Sequence, residues 1–159
     1  MLTADQKAAV DAAAANAPSR MAAAPEALRA IQEKTGWLSD QTVLDVARYL
    51  GVSASSLDGV ATFYNRLYRS PVGAHVILVC DGVSCWIMEQ KALLRHLFDL
   101  LGVGKFGETS ADGLFTVLPV ACLGACDHAP AMMVDTDLYG DLSPEKIDRI
   151  IDGCRNGRQ

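Results

Sequence analysis

The sequence predicts an α/β domain preceded by a small all-α helical domain, and three observations carry that prediction. Roughly the first seventy residues read as capped helical segments with no strand. From His75 the pattern changes to an apolar β-branched run, a helix and a second apolar run. Each of those two runs leads into a pair of cysteines. A helical bundle is expected over residues 1–70 and the α/β domain over residues 74–156, with Ser70, Pro71, Val72 and Gly73 as the link.

Taken in order, Thr3 and Gln6 make a capping box ahead of an alanine-rich helix ending near Ala15. Asn16, Pro18 and Ser19 interrupt it, and a second helix runs to about Lys34 with Leu28 and Ile31 on its apolar face. Pro25 stands either in the first turn of a helix starting near Ala24 or at a kink in a longer one. Gly36 ends this segment. Ser39 then caps a third helix, whose Val43, Leu44, Val46, Ala47 and Leu50 recur at helical spacing before Gly51. Ser53 caps a short fourth. The stretch Gly59 to Tyr68, G-V-A-T-F-Y-N-R-L-Y, concentrates aromatic residues, expected to pack as core between the two domains.

In the second domain the expected order is strand 75–80, cysteine loop, helix from about 86 to 101, strand 114–120, cysteine loop, strand 131–134, a turn, a short strand and a terminal helix. The middle helix is expected to set Met88, Leu93, Leu94, Leu97 and Leu101 near one face and to stop at Gly102 and Gly104. Strand–helix–strand implies a parallel pair, whereas Asp135 to Asp137 read as the turn of an antiparallel hairpin. Ser143 and Pro144 open the last helix as N-cap and first residue.

The chemistry lies in the cysteines. Cys80 and Cys85 form C-x4-C, and after 36 intervening residues Cys122 and Cys126 form C-x3-C. Two loops at one edge of a sheet can gather four thiolates; thiolates favour zinc, copper(I) or iron–sulfur clusters, and four of them suit tetrahedral zinc or a cluster. Structural zinc sites typically leave two residues between paired cysteines, so the wider loops favour a 2Fe-2S cluster while leaving zinc open. The plant-type ferredoxin spacing is absent, and neither pair is a C-x-x-C dithiol. Cys154, beside Ile147, Ile150 and Ile151, reads as a packed thiol. His128 invites a Rieske reading, but such centres need two histidines, and it is expected beside the site or exposed; His75 and His96 receive no role. Around a cluster, Asp81 and Asp127 would either be ordinary solvated loop charge or lower its potential. Gly82 and Gly124 would let the loops bend closely, and N–H groups within Asp81–Ser84 and Leu123–Ala125 would donate to the sulfurs. Trp86 would shield the cluster or pack in the core.

Composition bounds the rest. A 50% hydrophobic content supports a globular core, and a formal charge of −5 with no basic stripe excludes nucleic acid as a partner. The opening M-L-T-A-D-Q-K-A-A-V-D has no secretory h-region, and no apolar run of about 18 residues occurs, so a cytoplasmic chain with no direct membrane insertion is expected. Reducing surroundings disfavour disulfides there. G-V-G-K-F-G (Gly102 to Gly107) follows a helix where a nucleotide-binding loop needs a strand, so nothing in the chain is expected to hold NADH or flavin.

Cys80, Cys85, Cys122 and Cys126, with C-L-G-A-C-D-H-A-P-A-M-M around the second pair, resemble the thioredoxin-like 2Fe-2S subunit of NADH:quinone oxidoreductase. That family also serves NAD-linked hydrogenase and formate dehydrogenase modules. G-W-L-S-D, Y-L-G-V, G-V-A-T-F-Y and L-S-P-E-K-I extend the likeness over roughly Arg20 to Gly153. The resemblance implies a thioredoxin-like fold for the second domain and one 2Fe-2S cluster held by those four cysteines. It implies an electron-transfer role in an NADH dehydrogenase complex, with FMN and NADH on the partner NADH-binding subunit. Other peripheral-arm subunits would be further partners, through which the chain would associate with a membrane, and Gly59 to Tyr68 would offer a docking surface. The equivalent subunit of a soluble formate dehydrogenase or hydrogenase is the alternative. A free thioredoxin-like ferredoxin fits less well, because such ferredoxins resemble only the C-terminal half.

Overall fold

The computed structural model describes residues 1–157. The chain divides into two compact units, Met1–Pro71 and a second from Val72 onward, each with its own hydrophobic cluster.

The first unit holds α1 (Ala4–Ala15), α2 (Ala24–Thr35), α3 (Asp40–Leu50) and α4 (Ala54–Phe63). Their ends follow the local chemistry. Thr3 and Gln6 cap α1 reciprocally, Ser39 and Ser53 cap α3 and α4, and Gly51 closes α3 in the left-handed region. Pro25 lies in the first turn of α2, so no kink is needed. Leu28, Ile31, Leu38, Val46 and Leu57 are fully buried between the helices. Phe63 and Tyr64, at the end of α4, are 77% and 46% exposed. The expectation of core packing therefore fails for these two rings, while Ala61 and Leu67 of the same stretch are buried.

The second unit is built on a sheet of β1 (His75–Cys80), β2 (Phe115–Val120), β3 (Met132–Val134) and β4 (Asp137–Tyr139) in the order β2-β1-β3-β4. β1 and β2 are parallel, while β3 runs antiparallel to both β1 and β4. Asp135, at φ 52°, makes the turn between β3 and β4. Ile77, Phe115, Val117 and Met132 are buried with Leu97 of α6 (Gln90–Leu101) and Ile147 and Ile151 of α7 (Pro144–Arg155). Ser143 caps α7 with Pro144 in its first turn, and Gly102 closes α6. These elements form an α/β unit around one mixed four-stranded sheet.

The single helix expected from about 86 to 101 is two helices. A short α5 (Val83–Ile87) precedes α6, and Glu89 between them takes a left-handed φ of 60° that breaks the hydrogen-bond ladder. Met88 therefore leaves the apolar face on which the sequence set it and is 54% exposed, whereas Leu97 and Leu101 remain buried. Among the described residues no helix is long and apolar enough to cross a membrane.

Candidate metal centre

The register of the parallel pair sets Cys80 opposite Val120, so the chain leaves both strands at the same sheet edge. Ligand sites favour such edges in open α/β sheets, because the loops there converge. Cys80 is the last residue of β1, and its N–H donates to the Ala131 carbonyl at 3.2 Å. The next N–H, of Asp81, donates to the Val120 carbonyl at 2.8 Å. That peptide is thereby committed to the sheet and withdrawn from the set of donors expected to face the sulfurs.

Gly82 then caps α5. A Cβ there would stand 3.2 Å from the Ala121 carbonyl oxygen, 3.4 Å from Cys80 Sγ and 3.9 Å from Cys122 Cβ. Gly82 has ordinary backbone angles, so its missing side chain provides room rather than bend. Cys85 lies on the inner side of α5 and is 1% exposed, with Cys80 at 2%. Burial pushes the Cys85 thiol pKa up, and the adjacent Cys80 sulfur adds to the effect.

The other pair is set differently. Cys122 and Cys126 lie on the β2–β3 loop, both exposed, with Cys126 opening a 3-10 turn to His128. Gly124, at φ 79°, directs its N–H to Cys122 Sγ at 3.3 Å, and Cys126 Sγ lies 3.8 Å from Cys122 Sγ. The Gly124 bond, then the Cys126 contact, hold the Cys122 pKa below its ordinary value. Cys122 in turn pushes Cys126 up, against the pull of the Ser84 hydroxyl.

The two pairs meet. They converge at Gly82, where a Cβ would stand 3.4 Å from Cys80 Sγ and 3.9 Å from Cys122 Cβ, and the Cys80 thiol bears on the pKa of both Cys85 and Cys122. The four thiols are gathered as two pairs; among the described residues no three His, Cys, Asp or Glu side chains are disposed as a single-ion cage. A tetrahedral metal with bonds to sulfur of about 2.3 Å holds two thiolates about 3.8 Å apart. Cys122 and Cys126 already have that separation. Four thiols in two pairs are the donor set that an iron–sulfur cluster takes.

The surroundings sort the remaining candidates. Asp81 and Asp127 are exposed, which is the setting of solvated loop charge. His128 is exposed and bonds Asp141 at 2.8 Å; that bond and then Asp127 raise its pKa. His75 and His96 face Asp135 and Asp148 at 2.7 Å each. Cys154 is packed with Ile147 and Ile151 in the second unit's core, away from the four thiols. Trp86 is 56% exposed, so it is not core. Ser84 and Gly140 were not singled out by sequence. A Cβ on Gly140 would come within 2.5 Å of His128 Cβ, so this glycine lets the β4–α7 connection press on the second cysteine loop. No periodicity marks either residue; the only sequence signal for Ser84 is its place inside C-x4-C.

Fold and site together define a small α/β domain with paired cysteines at one edge of its sheet. The thioredoxin-like [2Fe-2S] ferredoxin family model matches residues 10–155, and the chain belongs to that family. It is 44% identical over 131 residues to the E subunit of the NADH-quinone oxidoreductase of Pseudomonas aeruginosa, covering 82% of this chain and 78% of the relative. It is 40% identical over 146 residues to the E 2 subunit of the same oxidoreductase from Rhizobium meliloti, covering 92% and 86%. Its fold also matches a chain of an NAD+-reducing [NiFe]-hydrogenase with a TM-score of 0.68 at 23% identity, over 83% of this chain and 23% of that one.

Proposed function

We propose that this chain is the electron-transfer subunit of an NADH:quinone oxidoreductase, holding one 2Fe-2S cluster through Cys80, Cys85, Cys122 and Cys126. The gathering of those thiols in pairs at one sheet edge carries the reading. The two relatives, both named as parts of NADH-quinone oxidoreductases, favour the quinone-reducing complex over a formate dehydrogenase or hydrogenase. When bound, the cluster supplies one-electron chemistry.

The chain's own part is to hold, shield and bias. Cys80 and Cys85 bind from a water-excluded side, and Cys122 and Cys126 bind from the exposed side. The Gly124 N–H donates to a ligand sulfur, which favours additional negative charge there. The exposed carboxylates of Asp81 and Asp127 oppose that charge through solvent. No substrate bond is broken on this chain: FMN and NADH belong to the NADH-binding partner subunit, with the other peripheral-arm subunits completing the complex. The chain works at the cytoplasmic side of the membrane and reaches it only through that complex.

The test is reduction by NADH under anaerobic conditions. The purified chain alone should keep its oxidised visible spectrum when NADH is added, and should bleach on addition of catalytic amounts of the flavin-bearing subunit. Bleaching without that subunit would show that this chain handles NADH itself.

A further inference from the structure

The second cysteine loop is exposed, yet its exit is tied to the core through a connection that carries none of the four thiols. Gly140 to Leu142, which join β4 to α7, run along that exit. The Asp141 N–H donates to the His128 carbonyl at 2.6 Å, and the Leu142 N–H donates to the Pro130 carbonyl at 3.1 Å. His128 ends the 3-10 turn that Cys126 opens, and its own N–H donates to the Ala125 carbonyl at 3.1 Å. Holding the His128 carbonyl therefore holds the turn on which Cys126 stands.

The connection is not buried, and Asp141 takes a φ of 46°, which a residue other than glycine keeps only where its surroundings impose it. Lys146 supplies such a constraint from the first turn of α7, where its Nζ donates to the Gly140 carbonyl at 2.6 Å. Its own N–H donates to Ser143 Oγ at 3.2 Å, and the next residue, Ile147, is buried at 1%, so the backbone that carries the lysine is fixed. The half-buried ammonium thus serves a backbone carbonyl, and a bond with a charged donor is stronger than a neutral one. Gly140 adds close contact, since a Cβ there would come within 2.7 Å of the His128 carbonyl oxygen. A continuous path leads from the packed helix through Lys146, Gly140 and Asp141 to His128 and the Cys126 turn.

We infer that Lys146 is a positioning residue for the proposed cluster: through the Gly140 carbonyl it holds the β4–α7 connection against the second cysteine loop and so keeps Cys126 in place for iron. This rests on the function proposed above and adds to it a residue remote in sequence from the ligands. Three full-length variants test it. Lys146→Met removes the ammonium and keeps an unbranched stem, and Lys146→Arg keeps a charged donor. Lys105→Met, which alters the lysine that faces Glu108, is the control. Amide hydrogen exchange is followed residue by residue in the iron-free chains, and release of iron to excess chelator is followed in the oxidised, cluster-loaded ones.

Lys146→Met should speed exchange at Asp141 and Leu142, and release of iron, each by about tenfold, because both wait on the same local opening. Exchange at Cys80 and Asp81, whose N–H groups donate to Ala131 and Val120, should not change, which separates this opening from a general loss of stability. Lys146→Arg and Lys105→Met should stay within a few-fold of the unaltered chain. Unchanged exchange in Lys146→Met overturns the inference, as does faster exchange with unchanged iron release, or acceleration that arginine does not restore; each leaves the proposed function standing. An unaltered chain that takes up no iron and sulfide overturns the function and the inference together. Should Lys146→Met fail to fold, the unaltered chain in urea below its unfolding transition decides the matter. Exchange at Asp141 and iron release that rise together support the inference; exchange that rises alone overturns it.

Discussion

The two cysteine pairs reach the same sheet edge by opposite routes. Cys80 ends a buried central strand and Cys85 sits on the inner side of α5, so strand pairing and burial place both sulfurs. Cys122 and Cys126 lie exposed on a connection that is mostly irregular, placed by a left-handed glycine and one N–H to sulfur bond. The first pair is part of the core, and the second is held against it by a few polar contacts. A fold can build a metal site by anchoring half of its ligands rigidly and letting the metal organise the rest, because binding free energy is also folding free energy. The half that depends on the metal should be the half that responds to its removal.

The largest effect expected is complete. Cys80→Ala, Cys85→Ala, Cys122→Ala and Cys126→Ala should each leave the purified chain without stable iron and sulfide, whichever half they fall in. Cys154→Ala should retain both, since Cys154 packs with Ile147 and Ile151. A colourless Cys154→Ala protein would break the ligand assignment.

The comparison sharpens in the iron-free chain. Exposed thiols alkylate and buried thiols do not, so Cys122 and Cys126 should react with iodoacetamide at least about tenfold faster than Cys80 and Cys85. Peptide mass mapping over a time course reads this, and equal rates at all four would mean the first pair is not held by the fold.

A smaller difference separates the two glycines. Gly82→Ala puts a methyl 3.2 Å from the Ala121 carbonyl oxygen and 3.4 Å from Cys80 Sγ. Overpacking of this kind costs about 1–3 kcal/mol. Gly124→Ala meets nothing within 4 Å but must hold a φ of 79°. That conformation costs an alanine about 1 kcal/mol and leaves the N–H to Cys122 in place. Denaturant melts of the cluster-loaded variants should therefore show the larger loss for Gly82→Ala.

The smallest effect belongs to the exposed pair alone. Asp141 raises the His128 pKa above its ordinary value. The pairing therefore contributes fully below the unfolded histidine pKa and is lost as pH rises through the raised one. In the iron-free chain Asp141→Asn should remove that pH dependence from the melting temperature, slightly lowering it at acidic pH and leaving it unchanged at alkaline pH. Identical profiles for the two chains would show that the loop is not pinned there.

Much of this architecture was legible because it follows local rules. Thr3, Ser39, Ser53 and Ser143 announced helix starts by their capping oxygens, and the apolar β-branched runs from His75 and Phe115 announced two strands. The site was legible as a pattern of pairs. The break at Glu89 was not, because a left-handed glutamate carries no sequence signal and the apolar spacing from Met88 to Leu101 continues across it. Nor was the part played by Ser84 and Gly140, which depends on how close another backbone or sulfur comes in space. The exposure of Phe63 and Trp86 ran against their hydrophobicity, because exposure depends on where the chain turns and not on residue type alone.

The most direct test is low-temperature EPR of the anaerobically purified chain before and after dithionite, with iron and acid-labile sulfide assayed on the same sample. The account predicts a silent oxidised sample, a paramagnetic signal on reduction, and about two iron and two sulfide per chain. Zinc without labile sulfide, in protein made with iron in excess, would contradict it.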